Sequence, residues 1–260
     1  MSHDFNAEIV NVVAHRPWEM PDRPWVMTQT WNDLLFAHWP VDPDRVRSRL
    51  PPEFDLDLFD GKAWIGIVPF FMTNVAPRGI PSLPWISAFP EINVRTYVSV
   101  ADRPGVYFFS LDAGSALAVQ AARVLLNLPY HTASMRVTRK GSAILYESHR
   151  EDLERPADFS AMYEPAGEAF VPVKGSLEYF LTERYCLYHQ DHRSVPYRLE
   201  IHHPSWVLQP ARARVVCESL AEVNGLTLPS SPPLLHFAKR QDMVAWMPAS
   251  VDAERAGSPP

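Results

Sequence analysis

The sequence is poor in cysteine and in positive charge, and it has no long apolar run. Its only cysteines, Cys186 and Cys217, are too few and too far apart for a disulfide framework or a zinc site. The formal net charge of −6 argues against a nucleic-acid-binding surface, which requires a basic face. No apolar stretch approaches the ~18 residues of a membrane span. We therefore predict a soluble protein without metal, cofactor, nucleic-acid or membrane partner.

The first residues also lack the features of a secretory signal. Residues 1–11 include Asp4 and Glu8 and contain no apolar core of the kind that a signal peptide needs. Together with the scarcity of cysteine, this predicts a cytoplasmic protein with reduced thiols.

Glycine is scarce and proline is abundant, with 10 and 26 residues respectively. Proline is poorly tolerated inside helices and central strands, so many connections must be extended loops and a helical bundle is excluded. We predict one domain over residues 28–247, preceded by a polar arm at 1–27 and followed by a frayed tail at 248–260.

Local patterns predict few helices and many strands. Asp42-Pro43 and Ser176 are helix-start signals, and residues 115–127 carry apolar side chains at helical spacing up to Pro129. Two hairpins are indicated, by Asp60-Gly61 and by Lys140-Gly141. About ten strands, one long helix and one or two short helices predict an α+β, β-rich fold. The strands are expected at 54–59, 63–72, 92–100, 106–111, 131–139, 143–149, 197–202, 212–217, 235–239 and 243–246.

Several stretches resemble the YqjF-like family of uncharacterised bacterial proteins, a domain family of unknown function. They cover most of residues 28–247 and read LLFAHWPV (34–41), FDGKAWIGIVPFFM (59–72), PEINVRTYV (90–98), PGVYFFSLDAGSALAVQAAR (104–123), LPYHTASM (128–135) and SLEYFLTERYCLY (176–188). The resemblance implies membership of the acetoacetate-decarboxylase-like superfamily. Its fold is a curved, β-barrel-like sheet around a closed apolar cavity.

The same resemblance implies that the catalytic lysine of a true decarboxylase is missing. In those enzymes a Pro-Lys-Lys step supplies a Schiff-base lysine, whose pKa is lowered by a neighbouring ammonium and an apolar pocket. That step corresponds here to Pro129-Tyr130-His131, and the Arg-Glu pair of the preceding helix to Arg123 and Val124. Of the four lysines, Lys62, Lys140 and Lys174 are expected to be solvated, which leaves Lys239 as the remaining candidate.

Strand 92–100 alternates between an aliphatic face and a polar face that carries Asn93, Arg95 and Tyr97. Alternation alone leaves open whether this polar face meets solvent or a site. The resemblance favours a cavity-facing Arg95 that binds substrate with Asn93 and Tyr97, since a closed barrel has an interior that polar residues can line. Glu91, just upstream, lies near the position at which the resemblance places a catalytic carboxylate of the decarboxylases, and it is therefore a candidate catalytic residue.

Three further residues lie at or after the predicted long helix. Arg123 either hydrogen-bonds the preceding strand or binds a substrate carboxylate, and we predict that it faces one cavity with Arg95 and Tyr130. Tyr130 and His131 offer a phenol and an imidazole for acid–base catalysis, although each is also an ordinary wall residue. Glu91 and Asp112 are expected to compensate the two arginines if they face inward.

The remaining polar clusters have structural explanations. His189, His192, His202 and His203 are close in sequence and could hold a metal ion if two strands pair there, but their neighbours are typical of loops and no metal motif matches. Ser115 is a helix cap, because it lacks the elbow motif of a serine nucleophile.

Three functions are compatible with the sequence. The first is an enzyme that performs acid–base chemistry, and no Schiff-base decarboxylation, on a small keto or carboxylate substrate. The second is a non-catalytic domain that encloses an apolar or aromatic small molecule. The third is a structural or interaction protein without ligand. We expect a small and anionic ligand, and the sequence leaves a homo-oligomer open.

Overall fold

The computed structural model describes residues 8–82, 87–126, 128–191 and 193–251, with only the backbone of Ala121, Val124 and Leu125. Within these ranges, thirteen strands form one branched sheet and four short helices lie between them. The strands are β1 (Met27–Val41), β2 (Asp55–Leu56), β3 (Ala63–Pro77), β4 (Phe89–Val100), β5 (Arg103–Ala113), β6 (Tyr130–Lys140), β7 (Ala143–Arg150), β8 (Asp158–Pro165), β9 (Cys186–Gln190), β10 (Pro196–His202), β11 (Gln209–Glu218), β12 (Leu234–Ala245) and β13 (Ala249–Ser250). The helices are α1 (Pro43–Arg47), α2 (Ala116–Leu126), α3 (Leu177–Thr182) and α4 (Leu220–Val223). The β-rich prediction is therefore confirmed.

The predicted helix starts have the expected caps. The Asp42 carboxylate accepts a hydrogen bond from the backbone N–H of Asp44, and Pro43 opens α1. The Ser176 hydroxyl accepts from the N–H of Tyr179 at the start of α3. Helix α4 was not predicted, because its four residues are too few for a periodic pattern.

Nine strands close a barrel in the order β1, β3, β4, β5, β6, β7, β8, β11 and β12, with β12 pairing back onto β1. Aliphatic and aromatic side chains from all nine strands, among them Leu35, Ile67, Val94 and Tyr146, fill its interior. The predicted hairpin at Asp60-Gly61 is partly wrong. The turn forms, with a bridge between Phe59 and Lys62, but β2 pairs with β4 instead of β3.

A second closed ring shares several of these strands. It uses β9 and β10 to connect β5 with β12, through the parallel pairing of Val106 with Leu187 and the antiparallel pairing of Ile201 with Ala245. The seven strands of this ring are β1, β3, β4, β5, β9, β10 and β12. Because successive side chains of a strand point to opposite faces, each shared strand contributes to both interiors.

The two ends of the described chain pack against the rings. In the arm, Ile9 is buried beside Val244 and Trp246, and the Arg16 guanidinium donates to the Glu200 carboxylate at 2.9 Å. Strand β13 pairs with β10, and Val251 is buried, whereas most of the tail predicted at 248–260 lies outside the described residues.

None of the helices in the described ranges is long and apolar enough to cross a membrane.

Candidate functional site

A cavity of about 90 Å³ lies inside the seven-stranded ring, on the opposite faces of β1, β3 and β4 from the nine-stranded core. Buried apolar side chains fill the interior of the nine-stranded barrel, so the cavity lies in the ring beside it. Most of the lining is apolar, and the polar lining residues are Gln29, Glu91, Asn93, Arg95, Tyr130, Thr182, Arg184 and His203. The apolar lining includes Trp31, Leu34, Phe36, Val68, Phe70, Met72, Phe108, Leu111, Leu128, Leu187, Ile201, Trp206 and Met243.

A bulge in β1 decides which of its side chains reach the cavity. Asp33 has a φ of 51°, and the register between β1 and β3 shifts between Asn32 and Ala37. The extra residue changes the alternation, so the lining uses Gln29 and Trp31 before the bulge but Leu34 and Phe36 after it.

The polar face of β4 supplies a row of three lining residues, Glu91, Asn93 and Arg95. Glu91 and Asn93 are buried, with 2% and 4% exposure. Gly66 of β3 pairs with Arg95, and a Cβ at Gly66 would lie 3.0 Å from the His38 ring and 3.2 Å from Arg95 Cγ. Glycine at this position therefore leaves room for the Arg95 side chain.

Glu91 forms a buried pair with Tyr130. The Tyr130 hydroxyl donates a hydrogen bond to Glu91 Oε2 at 2.8 Å. Burial raises the pKa of Glu91 to about 8, and the Tyr130 hydrogen bond opposes that rise while the charge of Asp112 adds to it. Glu91 is therefore mostly protonated at neutral pH, and it is able to donate a proton to a bound molecule and to take it back.

Arg95 has no carboxylate partner within salt-bridge distance among the described residues. Its guanidinium carbon lies 5.2 Å from the Phe36 ring centroid and 5.8 Å from that of Tyr97. One amino group is 3.4 Å from the Leu181 carbonyl, and Nε is buried with no hydrogen-bond partner in the ranges that the structure describes. Arg95 thus places an uncompensated positive charge at the cavity.

A second arginine of the lining, Arg184, is compensated. Its Nη1 donates to Asp57 Oδ2 at 2.6 Å, and its Nε donates to the Phe180 carbonyl. Sequence reasoning did not assign a role to Arg184, although the TERYCLY stretch quoted for the family resemblance contains it. The lining residue Trp206 was also missed, and no local signal distinguishes it from the other tryptophans.

The structure does not bring Arg123 to the cavity. Arg123 is exposed, and its Nε donates to the Tyr130 carbonyl at 2.6 Å. The prediction that Arg95, Arg123 and Tyr130 share one cavity is therefore wrong for Arg123, which instead connects α2 to the start of β6.

His131 also lies outside the lining, because it follows Tyr130 on β6 and adjacent side chains point to opposite faces. Its Nδ1 is 3.2 Å from Asp152 Oδ2. Burial, and then the charge of Arg150, lower the pKa of His131 to about 4, so the imidazole is neutral at pH 7.

Tyr97 and Asp112 do not line the cavity, and each side chain is hydrogen-bonded to other groups. The buried Tyr97 hydroxyl donates to the Leu181 carbonyl at 2.8 Å and lies 2.7 Å from His38 Nε2. Asp112 makes a two-pronged ion pair with the fully buried Arg150, at 2.9 Å from Nε and 2.7 Å from Nη2. Asp112 is therefore already paired with Arg150. It does not compensate Arg95 or Arg123, contrary to the expectation from the sequence.

All four lysines, Lys62, Lys140, Lys174 and Lys239, are exposed, and none lines the cavity. The Lys239 ammonium lies 2.7 Å from Asp33 Oδ1, on a side chain that is 75% exposed. Within the described ranges no three His, Cys, Asp or Glu side chains are grouped so as to hold a metal ion, and His192 lies outside those ranges.

Comparison with known proteins gives a family and a fold. Residues 28–242 match the model of the DUF2071 family, described as an uncharacterized conserved protein. The uncharacterized protein YqjF of Bacillus subtilis (strain 168) is 47% identical over 227 residues, which are 87% of this chain and 93% of the relative.

Solved structures of low sequence identity have the same fold. An acetoacetate decarboxylase from Legionella pneumophila superposes with a TM-score of 0.58 at 10% identity, covering 94% of this chain and 95% of the other. The enduracididine biosynthesis enzyme MppR superposes with a TM-score of 0.60 at 12% identity, covering 88% and 89%. The chain therefore belongs to the DUF2071 family of uncharacterized conserved proteins and has an acetoacetate-decarboxylase-like fold.

Proposed function

We propose that the protein binds a small carboxylate or keto compound in the cavity and transfers protons to or from it through Glu91. The observation that carries this proposal is the juxtaposition of an uncompensated guanidinium, Arg95, with the buried Glu91–Tyr130 pair on one apolar wall. A carboxylate compensates the charge of Arg95, and its two oxygens fit the planar guanidinium fork. Glu91, with a pKa of about 8, titrates near neutral pH, as a general acid–base group should.

The size of the cavity supports a short ligand. At about 90 Å³ it is smaller than an engineered apolar cavity of about 150 Å³ that binds benzene. A compound of two to four carbon atoms with a carboxylate therefore suits it better than an aromatic molecule does.

The chemistry we propose does not pass through a Schiff base. No lysine occupies the Pro129-Tyr130-His131 step, and the exposed positions of the four lysines support this view. An exposed lysine lacks the apolar pocket that activates a Schiff-base lysine, so it is a poor nucleophile towards a ketone.

Treatment with acetoacetate and borohydride is therefore expected to leave all four lysines unmodified, as measured by intact mass and peptide mapping. An acetoacetate decarboxylase treated in parallel serves as the positive control. A reduced adduct on any lysine, with Lys239 as the first to inspect, would contradict the proposal.

Small carboxylates are expected to raise the melting temperature, because they bind the folded state. Arg95→Gln should weaken their binding about 30-fold or more, since it removes the charge that holds the anion. Arg123→Gln is the matched control and should change the Kd by no more than about twofold, because Arg123 is exposed and outside the lining. Titration calorimetry with each variant measures both effects.

The mostly apolar lining favours a second candidate, a non-catalytic domain for a neutral apolar ligand. The same experiment separates the two. A neutral ligand that stabilises the wild type and Arg95→Gln equally, with no effect of carboxylates, would decide for the binding domain.

A further inference from the structure

We infer that the ligand carries a hydrogen-bond donor, a hydroxyl or an enol O–H, next to its carboxylate, and that Asn93 selects for this donor. The inference rests on the proposed function, because it takes the carboxylate to lie at Arg95. It adds the chemical class of the ligand, a short hydroxy acid or the enol form of an oxo acid.

The first observation is an unsatisfied acceptor. Asn93 is 4% exposed and lines the cavity, and its Oδ1 has no hydrogen-bond partner among the described residues. A buried acceptor without a partner is costly, and most such groups in proteins are satisfied. A ligand donor at this position removes the cost.

The second observation is the order of the groups along β4. Asn93 stands between Glu91 and Arg95 on one face of the strand, and its Cα lies about 6.8 Å from each of theirs because a strand rises about 3.4 Å per residue. A molecule whose carboxylate is held by Arg95 and whose other end faces Glu91 presents the part in between to Asn93. The donor therefore belongs between the two ends, which in a short acid is the carbon next to the carboxylate, or one carbon further.

The third observation is the balance of donors and acceptors. Arg95 Nε and Trp206 Nε1 are donors that have no hydrogen-bond partner in the described part of the chain, and both residues line the same cavity. A simple carboxylate satisfies these two donors but leaves Asn93 Oδ1 unpaired. A hydroxy acid or an enol satisfies all three.

This complementarity also bears on the proton transfer proposed for Glu91. An oxo acid in its keto form has no donor for Asn93, whereas its enol has one. Asn93 therefore favours the enol over the keto form within the cavity, and it acts as a specificity-determining and positioning residue.

The test compares two pairs of acids that differ only by a hydroxyl group, glycolate with acetate and lactate with propionate. Their Kd values are measured by titration calorimetry on the wild type, Asn93→Leu and Gln120→Leu. Gln120 is exposed on α2 and lies outside the lining, so its replacement is a matched amide-to-leucine control. In the wild type and Gln120→Leu, we expect each hydroxy acid to bind roughly tenfold more tightly than its partner.

In Asn93→Leu the preference should fall to within about twofold, with propionate binding unchanged or improved because no acceptor is left unpaired. Equal binding of lactate and propionate by the wild type, as expected if the amide presents its N–H₂ or is satisfied by water, overturns the inference and leaves the proposed function standing. A preference that persists in Asn93→Leu also overturns it. Failure of all four acids to bind overturns both. If Asn93→Leu does not fold, the wild-type ratios alone decide.

Discussion

Between pH 6.5 and pH 9, the free energy of unfolding of the wild type should fall by about 2 kcal/mol relative to that of Glu91→Gln. Burial raises the pKa of Glu91 from an ordinary 4.5 to about 8 in the folded protein. Between these two values the folded state binds a proton that the unfolded state has released. Stability is therefore lost as pH rises, by about 1.4 kcal/mol per unit, until the folded pKa is passed.

The chosen window isolates Glu91 from the buried histidines. Burial lowers the pKa values of His131, His189, His202 and His203 to about 4, and they therefore act on stability mainly below pH 6.5 and with the opposite sign. Chemical denaturation at each pH gives the free energies. Glu154→Gln, at an exposed glutamate, is the control and should run parallel to the wild type. If the free energies of unfolding of the wild type and Glu91→Gln ran parallel over this pH window, Glu91 would be ionised in the folded protein at neutral pH.

Arg150→Met should destabilise the protein by about 3–5 kcal/mol, because it leaves the Asp112 carboxylate buried without its partner. The Asp112 and Arg150 side chains are 1% and 0% exposed, and two hydrogen bonds join them. Arg150 Nη2 also donates to Ser110 Oγ at 3.0 Å. This pair fixes the end of β5, where Asp112 lies beside His131 of β6.

The double variant Asp112→Leu/Arg150→Met should recover most of that loss, since both charges are then absent. Arg240→Met is the control. The Arg240 side chain is 55% exposed and that of its partner Asp242 is 20% exposed, and such partly solvated pairs contribute about 0–1 kcal/mol. A loss in Arg150→Met no larger than in Arg240→Met, measured by urea denaturation, would mean that Asp112 is protonated or solvated in the folded protein.

Several parts of the candidate site were within reach of sequence reasoning. The alternation of β4 places Glu91, Asn93 and Arg95 on one face, and all three line the cavity. The strand predicted at 131–139 left Tyr130 outside it, whereas β6 begins at Tyr130. The side chains of Tyr130 and His131 therefore point to opposite faces of one strand.

Other parts could not be derived locally. Whether the polar face of β4 meets solvent or a cavity depends on β9 and β10, which begin about 90 residues later and close the second ring. The compensation of Arg184 by Asp57 joins residues 127 positions apart, and that of Arg150 by Asp112 joins residues 38 apart. Local patterns carry no information on such pairs, since strand partners are chosen by long-range pairing.

The sequence by itself determined the β-rich class, the caps of α1 and α3 and the two faces of β4. It also determined the absence of lysine from the Pro129-Tyr130-His131 step. Each of these depends on residue type or on a period of a few residues. The tertiary structure alone decided that Arg123 is exposed and that Arg95 has no carboxylate partner among the residues described. It also decided that the nine-stranded interior is filled and that the cavity lies in the ring beside it. The reason is physical: the charge state and burial of a side chain are set by the strands packed around it, and those strands come from distant parts of the chain.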